Sequence, residues 1–207
     1  MEPHRKIIKT LFGIPPERKL NPAVLIITNI RSIYDSIDSD FNKFSGWWDC
    51  KINEKIICVK IPQGTAVLDC ITYLRKYTNK IIFLGYAGSI NANYPIYSVV
   101  KISSAVRADE NQKIYKKEKL DLSGQESCSV PAFCIENKQL FNKISQNIFD
   151  MESYYVIKYA KKYNKPCSIF LIVTDNPLKH PFFKQPNKSN LAKSINRIGD
   201  KIKNELT

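Results

Sequence analysis

Apolar residues in this chain fall into short continuous runs, and segments with helical spacing of apolar residues lie between them. Five runs have the length and the β-branched or aromatic content of buried strands. They span residues 23–28, 56–61, 80–85, 97–103 and 167–174. The last run, CSIFLIVT, is the most apolar, which is typical of a strand buried on both faces.

Helical spacing predicts four helices, at residues 65–77, 137–148, 150–163 and 189–206. Apolar strands that alternate with helices favour a mostly parallel sheet covered on both faces. We therefore predict one α/β domain over residues 1–207, with residues 1–22 as a polar N-terminal extension. Residues 109–129 are predicted to form a polar, flexible connection, and the turn LGYAGSIN is predicted to follow the third strand.

The formal charge of +13 is a feature of proteins that bind nucleic acids, because lysines neutralise phosphates. Here the basic residues are spread over the whole chain instead of forming one block. Nucleic-acid binding is therefore not the expected function, although it stays open as an alternative. The same positive field can attract a small anionic substrate.

Cysteine and hydropathy patterns indicate a cytoplasmic protein without a metal or a membrane partner. The six cysteines form no CxxC pair and only two histidines are present, so no metal site is expected. No segment approaches the roughly 20 apolar residues of a membrane span. The N-terminus also lacks the apolar core of a secretory signal.

Two acidic residues follow patterns that deliver side chains to ligand sites. Asp175 comes directly after the most apolar strand, where burial would raise its pKa and favour general-acid chemistry. Glu152 lies in the first turn of a predicted helix, and its carboxylate could accept hydrogen bonds from paired hydroxyl groups. A plain turn at Asp175 and a helix-start charge at Glu152, with Asp150 as the cap, are the structural alternatives.

Five segments in a fixed order carry a resemblance to a known superfamily. They are GYAGSIN after a strand, VVKISSAVRADE, PAFCIENKQLF, FDMES and IVTDNP. Together they resemble the nucleoside phosphorylase and nucleosidase superfamily, from about residue 24 to the C-terminus. The resemblance implies a phosphorylase-like, three-layer α/β sandwich around a central mixed, mostly parallel sheet. It also implies a homo-oligomer (a dimer, trimer or hexamer) in which subunits complete each other's sites.

The resemblance further implies cleavage of the N-glycosidic bond of a purine-type nucleoside or related N-riboside. Glu152 matches the residue that holds the ribose hydroxyls beside Met151, and Asp175 matches the general acid towards the base. No cofactor is implied, although phosphate is a candidate co-substrate. The remaining residues assigned to the substrate are Gly85, Tyr86, Ala87, Arg107 and Arg31.

Several departures from the family pattern leave alternatives open. Nucleosidases carry a water-activating glutamate just after the first strand, where this chain reads TNIRSIY with Arg31 near that place. Tyr86 replaces a serine of the family's glycine turn, and a segment that supplies a base-stacking residue is missing between Phe141 and Asp150. The nucleophile can therefore be water or phosphate. A catalytically degenerate or repurposed member, which binds a nucleoside-like ligand or acts as a scaffold, is the alternative function.

Overall fold

The computed structural model describes residues 3–21, 23–37, 40–109, 113–130, 145–176 and 187–206. Within them, strands lie at Ala23–Thr28 (β1), Asn42–Ser45 (β2), Asp49–Ile52 (β3), Ile56–Lys60 (β4), Thr78–Ser89 (β5), Val99–Arg107 (β6), Glu118–Lys119 (β7), Gln125–Ser129 (β8), Ile148–Asp150 (β9) and Cys167–Asp175 (β10). Helices lie at Pro3–Phe12 (α1), Arg31–Ser36 (α2), Ala66–Leu74 (α3), Ser153–Lys162 (α4) and Lys188–Leu206 (α5).

Four parallel strands in the order β4–β1–β5–β10 form the centre of a mixed sheet. In register, Ile26 of β1 lies between Cys58 of β4 and Ile82 of β5. Strands β3 and β2 extend the sheet beyond β4 in antiparallel fashion. Because the central strands are parallel, their carboxyl ends lie along one edge, where α/β sheets bind ligands. The predicted mixed sheet is confirmed.

The other half of the sheet closes on itself through β5. This strand pairs with β10 along one edge, while β1 and then β9 pair with its other edge. Strand β10 continues to β6, β6 to β8, and β8 to β9, which returns to β5. Five strands thus form a ring. Since β9 occupies the edge of β5 beyond the end of β1, the segment after β9 lies close to the carboxyl ends of the parallel strands.

Two hydrophobic clusters on opposite faces of the sheet make the molecule three-layered. Leu25 and Ile27 of β1 belong to a cluster that also contains buried residues of α1, α3 and α4. Their neighbour Ile26 belongs to a second cluster, with buried residues of α2 and α5. Both faces of the strand are therefore buried, which explains why its sequence is continuously apolar. The predicted three-layer arrangement is confirmed.

Residues 3–12 form α1 within the segment that we predicted as a polar extension. Ile8 and Phe12 are fully buried, and the ring of Phe12 packs edge-on against Trp48, with ring centroids 5.6 Å apart. The helix was missed because its apolar stripe is short and four of its ten residues are charged or histidine. Helix α2 and the β2–β3 hairpin were also missed, because the helix has only six residues and each strand of the hairpin has only four.

The predicted turn LGYAGSIN is wrong. Its residues up to Ser89 continue strand β5, which is 12 residues long. Gly85 is explained by packing instead: a Cβ there would lie 2.8 Å from Cε1 of Phe83 and 3.2 Å from Cδ2 of Leu171. Both neighbours are fully buried. The glycine therefore makes room for an aromatic ring in the core, rather than allowing the chain to turn.

Two further predictions differ from the structure. The segment 109–129, predicted as a flexible connection, contains β7 and β8, which both pair with β6. The predicted helix 137–148 lies partly outside the described residues, and its described end is not helical, since residues 145–147 are irregular and Ile148 begins β9. The helix predicted at residues 150–163 is also shorter than expected: α4 begins at Ser153, and Asp150 belongs to β9. Short strands of a few residues are too brief for their alternation to be distinguished from helical spacing.

The described cysteines are all buried and free, namely Cys50, Cys58, Cys70, Cys128 and Cys167. Burial raises the pKa of each thiol above its ordinary value, so these thiols resist ionisation. Cys134 lies outside the described residues. Within the described ranges, no helix is both long and apolar enough to cross a membrane. No group of three or more His, Cys, Asp or Glu side chains in those ranges could hold a metal ion.

The packing of Gly85 predicts that Gly85→Ala destabilises the protein by about 1–3 kcal/mol, because the added methyl group overpacks the core. Gly199→Ala is the matched control. That glycine lies inside α5 with no atom within 4 Å of an added Cβ, so alanine there should stabilise by about 0.5–1 kcal/mol. Urea denaturation measures both free energies of unfolding. Equal effects of the two substitutions would refute the packing explanation.

Candidate functional site

Glu152 lies at the junction between the start of α4 and the carboxyl ends of β1 and β4. Its Oε1 accepts a hydrogen bond of 2.6 Å from the backbone N–H of Gly64, which follows β4. The same oxygen accepts one of 3.3 Å from Nδ2 of Asn29, the residue after β1. Only 1% of Glu152 is exposed. The carboxyl group is therefore held at the ligand-binding edge of the sheet by two separate loops.

The backbone of Glu152 is fixed by its neighbour Asp150. One carboxylate oxygen of Asp150 accepts hydrogen bonds from the N–H groups of Glu152 (3.1 Å) and Ser153 (2.6 Å). The other accepts a hydrogen bond of 2.9 Å from the hydroxyl of Ser129. Glu152 is the N-cap residue of α4, and Asp150, two residues earlier in β9, accepts the N–H of Ser153, the first residue of the helix. The buried carboxylate of Asp150 is thus satisfied within the fold.

Burial of two carboxyl groups so close together has an electrostatic consequence. Removal from water raises the pKa of Glu152 to about 8, and the charge of Asp150 adds to this rise. Hydrogen bonds from Gly64, Met151 and Asn29 oppose the shift because they favour the ionised form. The pKa of Asp150 is raised by its own burial. Glu152 therefore holds its proton to a higher pH than an exposed glutamate does.

Asp175 is the last residue of β10 and is also buried, with 6% exposed. A register shift between Val173 and Asp175 marks an irregularity in the pairing with β5. The hydroxyl of Thr174 donates a hydrogen bond of 3.0 Å to Oδ1 of Asp175. Burial raises the pKa of Asp175, and the bond from Thr174 opposes this. A buried carboxyl group with a raised pKa has the properties that a general acid needs.

The sheet brings Asp175 and Glu152 to one region. Asp175 of β10 and Phe149 of β9 are both register partners of Gly88, on opposite edges of β5. Two strand spacings place the Cα atoms of Asp175 and Phe149 roughly 10 Å apart. Glu152 follows Phe149 by three residues. The backbones of the two predicted acids therefore lie near each other at this edge of the sheet, on opposite sides of β5.

Gly64 is a site residue that the sequence analysis missed. It adopts a left-handed conformation with φ of 92° and donates the short hydrogen bond to Glu152. A Cβ built at Gly64 would lie 3.7 Å from the methyl group of Met151, so the side chain of Met151 lies beside Gly64, and its contact with the substrate stays a prediction. The available signal was the tetrapeptide PQGT directly after a predicted strand, since glycine permits positive φ.

The three predicted residues of the glycine segment face in different directions. Ala87 belongs to the cluster on the α4 side of the sheet, and Gly85 packs against Phe83 of the same cluster. Tyr86 packs into the cluster on the α2 and α5 side. Strand alternation explains this division. Only Ala87 and Gly85 face the layer that contains Glu152.

Arg107 ends β6, in register with Ser129 of β8, which in turn is in register with Asp150. Its guanidinium stacks over Tyr115 and Tyr155, at 4.9 and 5.4 Å from the ring centroids. This position is two strands away from Asp150. The structure thus places Arg107 on the flank of the region, in a sandwich of two aromatic rings, without a contact to Glu152.

Arg31 begins α2, two residues after Asn29. Its guanidinium pairs with Asp49 at 2.7 Å, lies 3.8 Å from Asp35 and lies over Tyr34. These residues line a surface groove of about 530 Å³ next to the β2–β3 hairpin. The role of Arg31 in binding phosphate stays a prediction. For that role the guanidinium would have to turn away from Asp49.

The raised pKa of Glu152 predicts how stability depends on pH. The folded protein holds this proton up to about pH 8, whereas the unfolded chain releases it near 4.5, so stability falls as pH rises between these values. Glu152→Gln removes the titration and should flatten the fall. Urea denaturation at several pH values between about 5 and 9 measures the slope.

Glu54→Gln, at an exposed position between β3 and β4, is the control and should leave the slope as it is in the wild type. An identical slope in the Glu152→Gln variant would show that Glu152 is ionised in the folded protein across this range.

Comparison with known proteins was informative only at the level of three-dimensional structure. The sequence matches no protein-family model and no curated protein. Many solved structures match the fold. A mutant of futalosine hydrolase from Helicobacter pylori superposes with a TM-score of 0.66 at 15% identity, covering 88% of this chain and 97% of that one.

Two nucleosidase structures give the same result. One is a mutant 5′-methylthioadenosine/S-adenosylhomocysteine nucleosidase of H. pylori with 5′-methylthioadenosine in its active site (TM-score 0.66, 16% identity, 88% of this chain and all of the other). The second is the nucleosidase CT263 of Chlamydia trachomatis (TM-score 0.62, 17% identity, 90% of this chain and all of the other). The chain therefore has the nucleoside phosphorylase and nucleosidase fold.

Proposed function

We propose that this protein binds a purine-type nucleoside or a related N-riboside and cleaves its N-glycosidic bond. Glu152 binds the ribose hydroxyls beside Met151, and Asp175 acts as general acid towards the base. The observation that supports this best is that two buried carboxyl groups with raised pKa values both lie at the carboxyl edge of the parallel strands. The solved nucleosidase with 5′-methylthioadenosine makes 5′-thio-substituted adenosines good first substrates to test.

The role of Glu152 follows from its hydrogen-bonding capacity. Oε1 already accepts two hydrogen bonds from the protein, whereas Oε2 accepts one of 3.3 Å from the N–H of Met151. In the ionised carboxylate each oxygen has two lone-pair directions, so Oε2 then retains capacity for a hydroxyl donor. Hydroxyl contacts that strengthen as positive charge develops on the sugar would lower the barrier to cleavage.

The role of Asp175 follows from its burial. Burial raises the pKa of Asp175, which favours the protonated form that can donate to the departing base, and a protonated base is a better leaving group. Thr174 orients the carboxyl group through its hydrogen bond to Oδ1. Neither acid needs a metal ion or an organic cofactor for these roles, although phosphate can serve as the nucleophile.

A binding protein without catalysis is the second candidate, and one observation favours it. Besides Glu152 and Asp175, the described buried acid in this region is Asp150. Its two carboxylate oxygens accept hydrogen bonds from Ser129 and from the start of α4. Asp150 is thus poorly placed to activate water, and no acidic residue directly follows β1. The fold would then present a nucleoside-like ligand without attacking it, or act as a scaffold.

Nucleic-acid binding receives less support. A lysine-lined groove of about 730 Å³ lies near the amino ends of β5 and β10, at the other end of these strands. Several of its lysines are engaged: Lys80 and Lys101 pair with Glu205 at 2.7 and 3.0 Å. Lys161 pairs with Glu118 at 2.9 Å. Self-association as a dimer, trimer or hexamer remains part of our proposal, to be tested by light scattering.

Base release from purine and pyrimidine nucleosides, including 5′-thio-substituted adenosines, tests the proposed function with and without phosphate. We expect release by the wild type. Asp175→Asn should slow release about 10²–10⁴-fold because the proton donor is lost. Glu152→Gln should weaken nucleoside binding about 10- to 100-fold because a hydrogen-bonded carboxyl group is replaced. Chromatography of the free base and calorimetry of binding are the measurements.

Asp200→Asn and Glu54→Gln are matched controls, because both acids are exposed and neither takes part in the hydrogen bonds described for the site. They should leave release and binding at wild-type values. Nucleoside binding by the wild type without base release over hours would select the binding protein. Unchanged binding in both Glu152→Gln and Asp175→Asn would refute the assigned site.

A further inference from the structure

Asn29 is held rigidly at the end of β1. The backbone oxygen of Thr28 accepts a hydrogen bond of 2.9 Å from the N–H of Ile61, which follows β4. The hydroxyl of Thr28 accepts one of 3.0 Å from the N–H of Ile30. Helix α2 starts at Arg31 directly afterwards. The backbone on both sides of Asn29 is thus fixed, and its side chain has a defined direction.

Only one of the two polar atoms in the Asn29 carboxamide has a hydrogen-bond partner in the described part of the chain. Its Nδ2 donates to Oε1 of Glu152 at 3.3 Å. Its Oδ1 is buried and, among the described residues, has no hydrogen-bond partner. Exchanging the amide's oxygen and nitrogen would bring Oδ1 against a carboxyl oxygen that already accepts from Gly64. The amide orientation is therefore determined, and Oδ1 faces away from Oε1.

A buried carbonyl oxygen without a donor is costly, and native structures normally satisfy such groups with water or a ligand. Here the unsatisfied oxygen belongs to a side chain bonded to the proposed sugar-binding carboxyl group. When Glu152 is ionised, Oδ1 of Asn29 and Oε2 of Glu152 are therefore two acceptors on one hydrogen-bonded pair. A vicinal diol offers two adjacent hydroxyl donors, which is the matching chemistry.

We propose that Asn29 is a ligand-binding residue: Oδ1 of Asn29 accepts a hydrogen bond from one ribose hydroxyl while Glu152 binds the other. This inference rests on the proposed function and extends it, because it makes the protein selective for ribosides over one class of deoxyribosides. The protein then binds the diol with the carboxyl group of Glu152 and the amide of Asn29, rather than with Glu152 alone. A ligand that lacks the hydroxyl facing Asn29 leaves Oδ1 unsatisfied in the complex.

The test is a thermodynamic cycle between Asn29→Ala and the hydroxyl groups of the ligand. Asp175→Asn serves as the background so that ligands are not consumed, and calorimetry measures the affinities of adenosine and inosine with their 2′-deoxy and 3′-deoxy analogues. In the Asn29 background, loss of one particular hydroxyl should weaken binding about tenfold. In the Asn29→Ala background, the same loss should cost almost nothing.

A structural role for Asn29 gives a different result. If the side chain only positions Glu152, Asn29→Ala should weaken ribosides and both deoxyribosides by the same factor, which would overturn the inference. Asn29→Ser, which keeps a small acceptor, provides a second variant if alanine prevents folding, and circular dichroism checks that each variant is folded. Equal factors in that variant would likewise overturn it.

The outcomes separate this inference from the proposed function. Riboside binding that is weakened by Glu152→Gln but shows no coupling at Asn29 would overturn the diol assignment alone. If the wild type binds none of these nucleosides, the proposed function and the role of Asn29 both fail. Coupling to a single hydroxyl would confirm the role of Asn29 and identify which hydroxyl it binds.

Discussion

The hydrogen bond from the N–H of Gly64 to Glu152 is the contact on which the candidate site depends. It joins the loop after β4 to the start of α4, two segments 88 residues apart in sequence. Gly64 adopts a positive φ, which glycine permits, and at 2.6 Å its bond is the shortest of the three that this buried carboxyl group accepts. Asn29 adds a second donor from β1, so three elements meet at one oxygen.

Three buried acids near the carboxyl edge of the sheet have different surroundings, and this difference separates their roles. Asp150 accepts three hydrogen bonds, two of them from the start of α4. Burial and the nearby charge of Asp150 raise the pKa of Glu152 to about 8. Asp175 has a single described hydrogen bond, from its neighbour Thr174. The environment of each carboxyl group, rather than its residue type, determines its chemistry.

The fold of this protein is established by comparison with solved structures, whereas its activity is proposed from the site. At 15–17% identity, the solved structures establish the layered α/β architecture and leave the reaction to be argued from the site. The closed ring of five strands matters for that argument, because the return of β9 to β5 carries Asp150 and Glu152 to the end of β10. Without that closure, the two proposed substrate residues would lie at separate places on the sheet.

The central strands, α3, α4 and α5 were predictable from the sequence because each is long enough for a continuous run or a helical period to stand out. The acids Glu152 and Asp175 were also recognisable, since their places after FDM and IVT follow from local pattern and from the order of the resembling segments. Strands β7 to β9 and the extension of β5 through its glycines were not, because short strands are stabilised by partners that lie far away in sequence.

The sequence by itself determined which residues are apolar enough to form the two-sided core, and so determined the α/β class. Tertiary structure alone decided that Gly64 and Asn29 meet Glu152, that Gly85 makes room for Phe83 and that Tyr86 faces the other side of the sheet. The physical reason is that burial and hydrogen-bond partners depend on strand register and on loop conformation, which are set by contacts between segments distant in the chain.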